Sequence, residues 1–162
     1  MNNNFSIIIT SYNCEEWVNI NIDSVLNQKY KNYQIYYVDD NSTDNTVAMV
    51  EKYNSDKINL FANSFNKGKM QNLVEVNKIL KEDTICVILD GDDWFYNSDV
   101  LSYLNEVYQD PNIWMTNGSY VIEPHGMAVR PNINSSYWIG NIRQKSWEFS
   151  HLGTFRKKLF DK

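Results

Sequence analysis

The sequence is short of the features that staple, export or anchor a chain. Cys14 and Cys86 are the only thiols among 162 residues. That excludes a disulfide framework and a Cys-rich zinc site, and both are expected as reduced side chains. Met1-Asn2-Asn3-Asn4 lacks the charged and apolar regions of an export signal. No apolar run approaches the ~18 residues that span a bilayer. There is no internal repeat and no low-complexity linker. Basic residues are outnumbered 15 to 20, for a net charge of −5, which argues against a nucleic-acid backbone as partner. Acids thin out late: after residue 110 only Glu123, Glu148 and Asp161 occur. A cytoplasmic protein without a transmembrane segment is expected. The run Arg156-Lys157-Lys158 offers at most weak attraction to an anionic membrane surface, as a peripheral contact or a solvated helix face.

What is present is a core and a set of strand-end acids. Hydrophobic residues make up 43% of the chain, enough for one domain over 1–162 to fold unaided. The organising stretch is Ile85-Cys86-Val87-Ile88-Leu89-Asp90-Gly91-Asp92-Asp93. Five apolar residues predict a strand buried on both faces. Carboxylates at the carboxyl end of such a strand stand where open α/β sheets bind ligands. Acids this close repel one another and favour a cation, and oxygen ligands suit Mg²⁺ or Mn²⁺ completed by phosphate oxygens. Asp92 is the first metal candidate, and Asp90 takes the nucleoside or a place beside the metal. Gly91 lets the backbone approach a ligand closely. A surface loop with an acid capping the next helix explains the same letters.

Taken in order, the chain predicts a strand at Phe5 to Thr10, ending in the polar turn Ser11-Tyr12-Asn13. A helix follows over 15–28, with Val18, Ile22, Val25 and Leu26 inward. Gln34 to Val38 is a second strand, ending in Asp39-Asp40-Asn41-Ser42-Thr43-Asp44, where Asp44 is read as a helix cap. A short helix, a strand at Ile58 to Ala62 and a helix with Met70, Leu73, Val76 and Leu80 come next. After the organising strand, Ser98 is expected to cap a helix carrying Leu101, Leu104 and Tyr108. This alternation through residue 111 predicts a mostly parallel sheet with flanking helices. Beyond it, Ile113 to Ile122 and Met127 to Arg130 predict a hairpin turning at Pro124-His125-Gly126. Phe155 to Phe160 reads as the start of a helix.

Further candidates are single residues. Tyr12 offers a flat face to a base, and Thr10 and Asn13 flank it. Asp40 can accept a hydrogen bond from a base or ribose. Lys69 beside Gly68 can meet phosphate, and His151 can complete a metal site. Trp114, Trp138 and Trp147 can line an acceptor pocket or pack in the core. Read from Asp40 as a calcium loop, the sixth position is Asn45 where glycine is required, which argues against an EF-hand.

Assembled, these residues resemble family 2 glycosyltransferases of the GT-A fold. Ser6 to Asn13 looks like the opening strand and nucleotide-facing turn, and Ser24-Val25-Leu26-Asn27-Gln28 like the first-helix ending. Tyr37 to Thr46 is close to the V-D-D-G-S-T-D-x-T signature, with Asn41 in place of glycine, a mild change because Asn tolerates positive φ. Leu89-Asp90-Gly91-Asp92-Asp93 is similar to the DxD motif. Trp114 to Tyr120 and Ser150 to Arg156 resemble acceptor-side segments. The resemblance implies a Rossmann-like nucleotide-sugar-binding part over 1–111 and an incomplete acceptor-side part over 112–162. It implies a nucleoside-diphosphate-sugar donor, UDP favoured, and an unknown glycan, lipid or protein acceptor. Tyr12 and Asp40 would meet the base, Asp90 the ribose, and Asp92, with Asp90 and His151, Mn²⁺ or Mg²⁺. Transfer with inversion uses a carboxylate base.

Two departures stand out. Met70-Gln71-Asn72 replaces an Ala-Arg-Asn-like run. The family's Glu-Asp pair has no counterpart before Lys162, so the base is expected beyond it. The rival reading is therefore a non-catalytic nucleotide- or sugar-binding module of the same fold. A nucleotidyltransferase would want a Gly-rich basic loop where Ser11-Tyr12-Asn13-Cys14-Glu15-Glu16 stands.

Overall fold

A computed structural model of the chain describes residues 2–122, 126–129 and 152–159. Its core is a six-stranded sheet in the order β3-β2-β1-β4-β8-β5. The strands are β1 (Asn4–Ser11), β2 (Tyr33–Asp39), β3 (Ile58–Ala62), β4 (Thr84–Asp90), β5 (Met115–Asn117) and β8 (Gly153–Arg156). The first four run parallel, and β8 lies antiparallel between β4 and β5. Strands β6 (Tyr120–Ile122) and β7 (Met127–Val129) form a separate antiparallel pair.

Alternation along the central strands sends side chains to two cores. Ile7, Ile9, Ile35, Tyr37, Val87 and Leu89 face one way. They meet Val18, Ile22 and Val25 of α1 (Val18–Leu26), Val50 of α2 (Thr46–Glu51), and Leu101 and Leu104 of α4 (Val100–Val107). Ile8, Val38 and Cys86 face the other way, against Leu73 and Val76 of α3 (Lys69–Asn77) and Leu80 beyond it. The result is three layers, helix on sheet on helix, as the α/β reading expected. Both cysteines are buried, and no disulfide joins them.

Several boundaries differ from expectation for identifiable reasons. Helix α1 opens at Val18, not Glu15. The N–H groups of Cys14 and Glu15 are engaged by Thr46 Oγ1 at 2.9 Å and Asp44 Oδ2 at 3.1 Å, which holds this segment to the β2–α2 loop instead. Asp99, not Ser98, takes the cap position of α4. The Ser98 carbonyl accepts from Lys29 N–H at 2.9 Å. Phe155 and Arg156 lie in strand β8, not a helix, because the edge of β4 is completed by pairing Cys86 with Phe155 and Ile85 with Arg156. Among the described residues a 3-10 turn, Lys157–Leu159, follows. The long strand expected from Ile113 breaks near Gly118, whose N–H donates to Leu152 C=O at 3.1 Å. Its first part joins the main sheet and its second pairs with β7. The hairpin stands in shortened form; Pro124 and His125 lie outside the described residues.

The basic run does not form an outward patch. The Arg156 guanidinium donates to the carbonyls of Ile113, Tyr108 and Asp110 at 2.8, 3.0 and 3.1 Å and lies over the Tyr108 ring. It satisfies carbonyls where α4 ends. Lys157 is buried. Among the described residues, no helix is long and apolar enough to cross a membrane.

Candidate functional site

The site follows from strand order. The chain passes from β1 outward to β2 and β3, then returns to β4 on the other side of β1. This reversal is where open parallel sheets bind ligands at their carboxyl ends. The register places Ser11 beside Asp39 and Thr10 beside Asp90. The acid ends of β2 and β4 thus flank the end of β1, as the sequence pattern anticipated.

The β1 end is held open by its turn. Asn13 has φ of 52°. Its Oδ1 accepts from Thr43 N–H at 2.8 Å, and its own N–H donates to Ser42 Oγ at 2.8 Å. Asn41 also has positive φ, 69°, so the residue standing for glycine adopts the glycine conformation. Tyr12 is 50% exposed on this turn, leaving ring surface for stacking.

Asp39 and Asp40 do different work. Asp39 is buried and accepts from Ser42 N–H at 2.8 Å and from the Ser11 and Ser42 hydroxyls, fixing the β2 turn. Asp40 accepts from Lys67 N–H and Gly68 N–H at 2.8 Å each and from Asn63 Nδ2 at 3.0 Å. Burial opposes its charge, but these hydrogen bonds outweigh that and hold the carboxyl below its ordinary range. Asp40 therefore anchors the loop that delivers Lys69. Asp44 bonds Thr46 N–H at 3.0 Å and Thr46 Oγ1 at 2.6 Å, so it does bond the first turn of α2, although Asn45 occupies the cap position.

On the β4 side, Lys69 Nζ is ion-paired with Asp90, and both side chains remain partly accessible. Gly91 is required by the fold rather than by a ligand alone. A Cβ there would stand 2.7 Å from Ser11 Cβ and 3.1 Å from Cys14 Sγ, and its N–H donates to Thr10 C=O at 2.9 Å. Asp92 lies close enough for its charge to act on Cys14. Burial pushes that thiol up, and the charges of Asp92, Asp44 and Asp39 add to the effect. The field here is negative, as a cation site requires.

Two residues escaped the sequence reading. Asn21, fully buried on α1, donates from Nδ2 to Asp90 C=O at 3.0 Å and Asp93 C=O at 2.7 Å, fixing the acid turn from below. Trp94 stacks on Trp17 with centroids 5.9 Å apart. No sequence signal marked Asn21, because helical periodicity assigns a polar letter beside Val18, Ile22 and Val25 to solvent.

The donor set fits a divalent cation only in part. Among the described residues no cluster of three His, Cys, Asp or Glu side chains forms. Asp92 and Asp90 would hold such an ion with its remaining positions filled by phosphate or water oxygens, the usual arrangement for Mg²⁺. His151 lies outside the described residues, as do Trp138, Trp147, Glu123, Glu148 and Asp161. Trp114 is partly exposed beside β5.

The profile of glycosyl transferase family 2 matches residues 6–160. The chain belongs to this family. A curated relative, the Escherichia coli UDP-Glc:alpha-D-GlcNAc-diphosphoundecaprenol beta-1,3-glucosyltransferase WfaP, is 30% identical over 118 residues, covering 73% of this chain and 46% of WfaP. The putative glycosyltransferase EpsE of Bacillus subtilis is 42% identical over 65 residues, covering 38% of this chain and 23% of EpsE. The match thus spans less than half the length of either. Among solved structures of this fold, S. aureus TarS 1-349 with UDP-GlcNAc has a TM-score of 0.74 at 20% identity, over 98% of this chain and 46% of TarS. Mannosyltransferase PcManGT from Pyrobaculum calidifontis, with GDP-Man and Mn²⁺, has a TM-score of 0.72 at 21% identity, over 99% of this chain and 46% of PcManGT. These likenesses establish the GT-A architecture for the family 2 chain.

Proposed function

We propose that this chain carries the donor site of a metal-dependent glycosyltransferase that moves a sugar from a UDP-sugar to an acceptor hydroxyl, with inversion. The observation that carries the reading is the placing of two acid strand ends on either side of β1, with Lys69 brought across to Asp90. Tyr12 stacks on the base, with Thr10 and Asn13 beside it. Asp40, held by Lys67, Gly68 and Asn63 and approached by the Asn72 side chain as well, meets a base N–H in exchange for one of these donors. Asp90 and Gly91 stand at the ribose. Asp92, with Asp90 and His151, holds Mn²⁺ or Mg²⁺. Such an ion offsets charge growing on the leaving diphosphate. Lys69 exchanges Asp90 for a phosphate oxygen as the donor arrives.

UDP is favoured over GDP because WfaP is named for UDP-Glc and TarS is complexed with UDP-GlcNAc, whereas PcManGT holds GDP-Man. No catalytic base is assigned among the described residues.

The test is calorimetric titration of UDP and GDP with Mn²⁺ or with EDTA, on the chain and on Asp92→Ala. UDP binding that requires Mn²⁺ and drops at least about tenfold in Asp92→Ala is expected, the loss of a ligand-bearing charge. Binding indifferent to metal and to Asp92 would overturn the metal role. A binding module of the same fold gives the same titration but transfers no sugar from UDP-Glc or UDP-GlcNAc.

A further inference from the structure

Helix α1 turns one polar face toward the chain that follows β4. Asn21, Ser24 and Gln28 stand three and four residues apart and so share a side of the helix. They grip the backbone of residues 90–101 in chain order. Asn21 Nδ2 donates to Asp90 C=O at 3.0 Å and Asp93 C=O at 2.7 Å. Ser24 Oγ accepts from Phe95 N–H at 3.0 Å and donates to Asn21 C=O at 2.7 Å. Gln28 donates to Asn97 C=O at 2.6 Å and accepts from Leu101 N–H at 3.0 Å.

Asn21 and Gln28 are both fully buried, yet their amides are used differently. The Gln28 amide is bonded at its nitrogen and at its oxygen, which ties α1 to α4. Asn21 Oδ1 has no partner among the described residues. A buried acceptor left alone costs stability, and an apolar side chain in its place would escape that cost. The bonds of the Asn21 side chain go to the acid turn. That turn is tight: Asp93 N–H donates to Asp90 C=O at 3.1 Å, which makes Gly91 and Asp92 the central pair of a β-turn. Asp92 is exposed, so the backbone of the turn, rather than packing of its side chain, sets where its carboxylate points.

We infer that Asn21 is a positioning residue for the cation of the donor site. It holds the carbonyls on both sides of Gly91-Asp92, fixes the direction of the Asp92 carboxylate, and so raises the affinity for Mn²⁺. The inference rests on the donor-site reading above. An ion held through Asp92 and Asp90 must order both side chains and the turn between them. A turn already held leaves only the side chains to order. Groups that hold a metal ligand from behind commonly change affinity by about 10–100-fold. Asn21 acts through the backbone, one step further removed, which places its effect at the lower end of that range.

The test compares the whole chain with Asn21→Leu, Asn21→Ala and Gln28→Leu. The last removes an equally buried amide from the same helix face and leaves the acid turn its bonds. Mn²⁺ uptake in the presence of UDP is read from the loss of the free-ion signal in electron paramagnetic resonance. Amide exchange at Asp93 is followed by NMR without metal or nucleotide. Both Asn21 variants should bind Mn²⁺ about tenfold more weakly. They should also exchange the Asp93 amide at least about threefold faster. Gln28→Leu should match the parent chain in both readouts. If it weakens Mn²⁺ binding as much as Asn21→Leu does, the effect is general loosening and the assignment falls. It falls too if the Asn21 variants lose Mn²⁺ affinity while Asp93 exchange stays unchanged. Should Asn21→Leu fail to fold, Asn21→Ala decides the matter alone. Equal Mn²⁺ uptake by the parent and the Asn21 variants overturns the role of Asn21 and leaves the donor site standing. A parent chain that takes up no Mn²⁺ with UDP overturns the metal reading of the donor site, and the role of Asn21 goes with it.

Discussion

Gln28 shows how a polar side chain can organise the surroundings of a site without touching it. It is fully buried at the end of α1. Its Nε2 donates to Ser24 C=O at 3.0 Å and Asn97 C=O at 2.6 Å, while Oε1 accepts from Leu101 N–H at 3.0 Å. Leu101 is in the first turn of α4, where N–H groups lack helical partners. Asp99 makes no side-chain cap bond there, so Gln28 supplies the cap from a different helix. Gln28→Leu keeps the volume and strands buried groups at both ends. A loss of about 2–3 kcal/mol in stability is expected, given ~1–3 kcal/mol per unsatisfied buried group. Urea unfolding measures it, and a loss below about 1 kcal/mol would show that water replaces the amide at little cost. Neither Gln28 nor Asn21 was legible as an anchor. Helical periodicity reads Val18, Ile22 and Val25 as the inward face and assigns polar letters to solvent. The strand-end positions of Asp90, Asp92 and Asp40 were legible, because each acid closes or directly follows an apolar run. What Asp40 bonds was not, since its partners Asn63, Lys67 and Gly68 come from a loop whose path no spacing rule fixes.

At the scale of elements, the carboxyl end of β2 does two jobs. Asp39 shapes its own turn, and Asp40 ties down the loop between β3 and α3, hence Lys69 at the first position of α3. That anchoring depends on charge. The Asp40 carboxyl is held below its ordinary value of 3.8, so the folded state binds its proton more weakly than the unfolded chain. Its stabilisation is accordingly complete at neutral pH and above the ordinary value, and is lost as pH falls through the lower folded value. Asp44, also lowered, loses its share in the same acid window. Asp40→Asn should therefore reduce the urea midpoint at pH 7, and the gap to the parent chain should close below about pH 4. A gap of equal size at pH 7 and pH 3 would mean that the loop is held by shape rather than by charge. The parallel strands β1 to β4 were readable because each is a short apolar run ended by turn residues. Strand β8 was not. Phe155 and Arg156 carry no alternation of their own, and pairing between β4 on one side and β5 on the other makes them a strand. Helix α1 began late for a similar reason, since contacts with Thr46 and Asp44, about thirty residues away, hold the segment before it.

At the scale of the molecule, the proposed donor site is fastened to the middle of the sheet. In the order β3-β2-β1-β4-β8-β5, the strands bearing Asp40, Tyr12 and Asp92 at their ends are adjacent and interior. A ligand that bridges the three ends cannot stay bound when the sheet separates. Its binding energy therefore adds to global stability rather than to that of one loop. Strand order made this arrangement, and the sequence specified only which strands end in acids; β1 between two acid ends emerges from pairing. UDP at about 100 times its dissociation constant adds roughly 2.7 kcal/mol, worth about 5–10 °C in the thermal midpoint of a chain this size. Differential scanning calorimetry with UDP and Mn²⁺ should show that rise in a single transition, and EDTA should remove most of it. A rise that persists in EDTA would assign recognition of the diphosphate to Lys69, which already reaches Asp90 across the crevice, and would leave Asp92 without a metal to hold. A rise confined to a minor early transition would place the ligand on a locally unfolding segment and detach it from the β2, β1 and β4 ends.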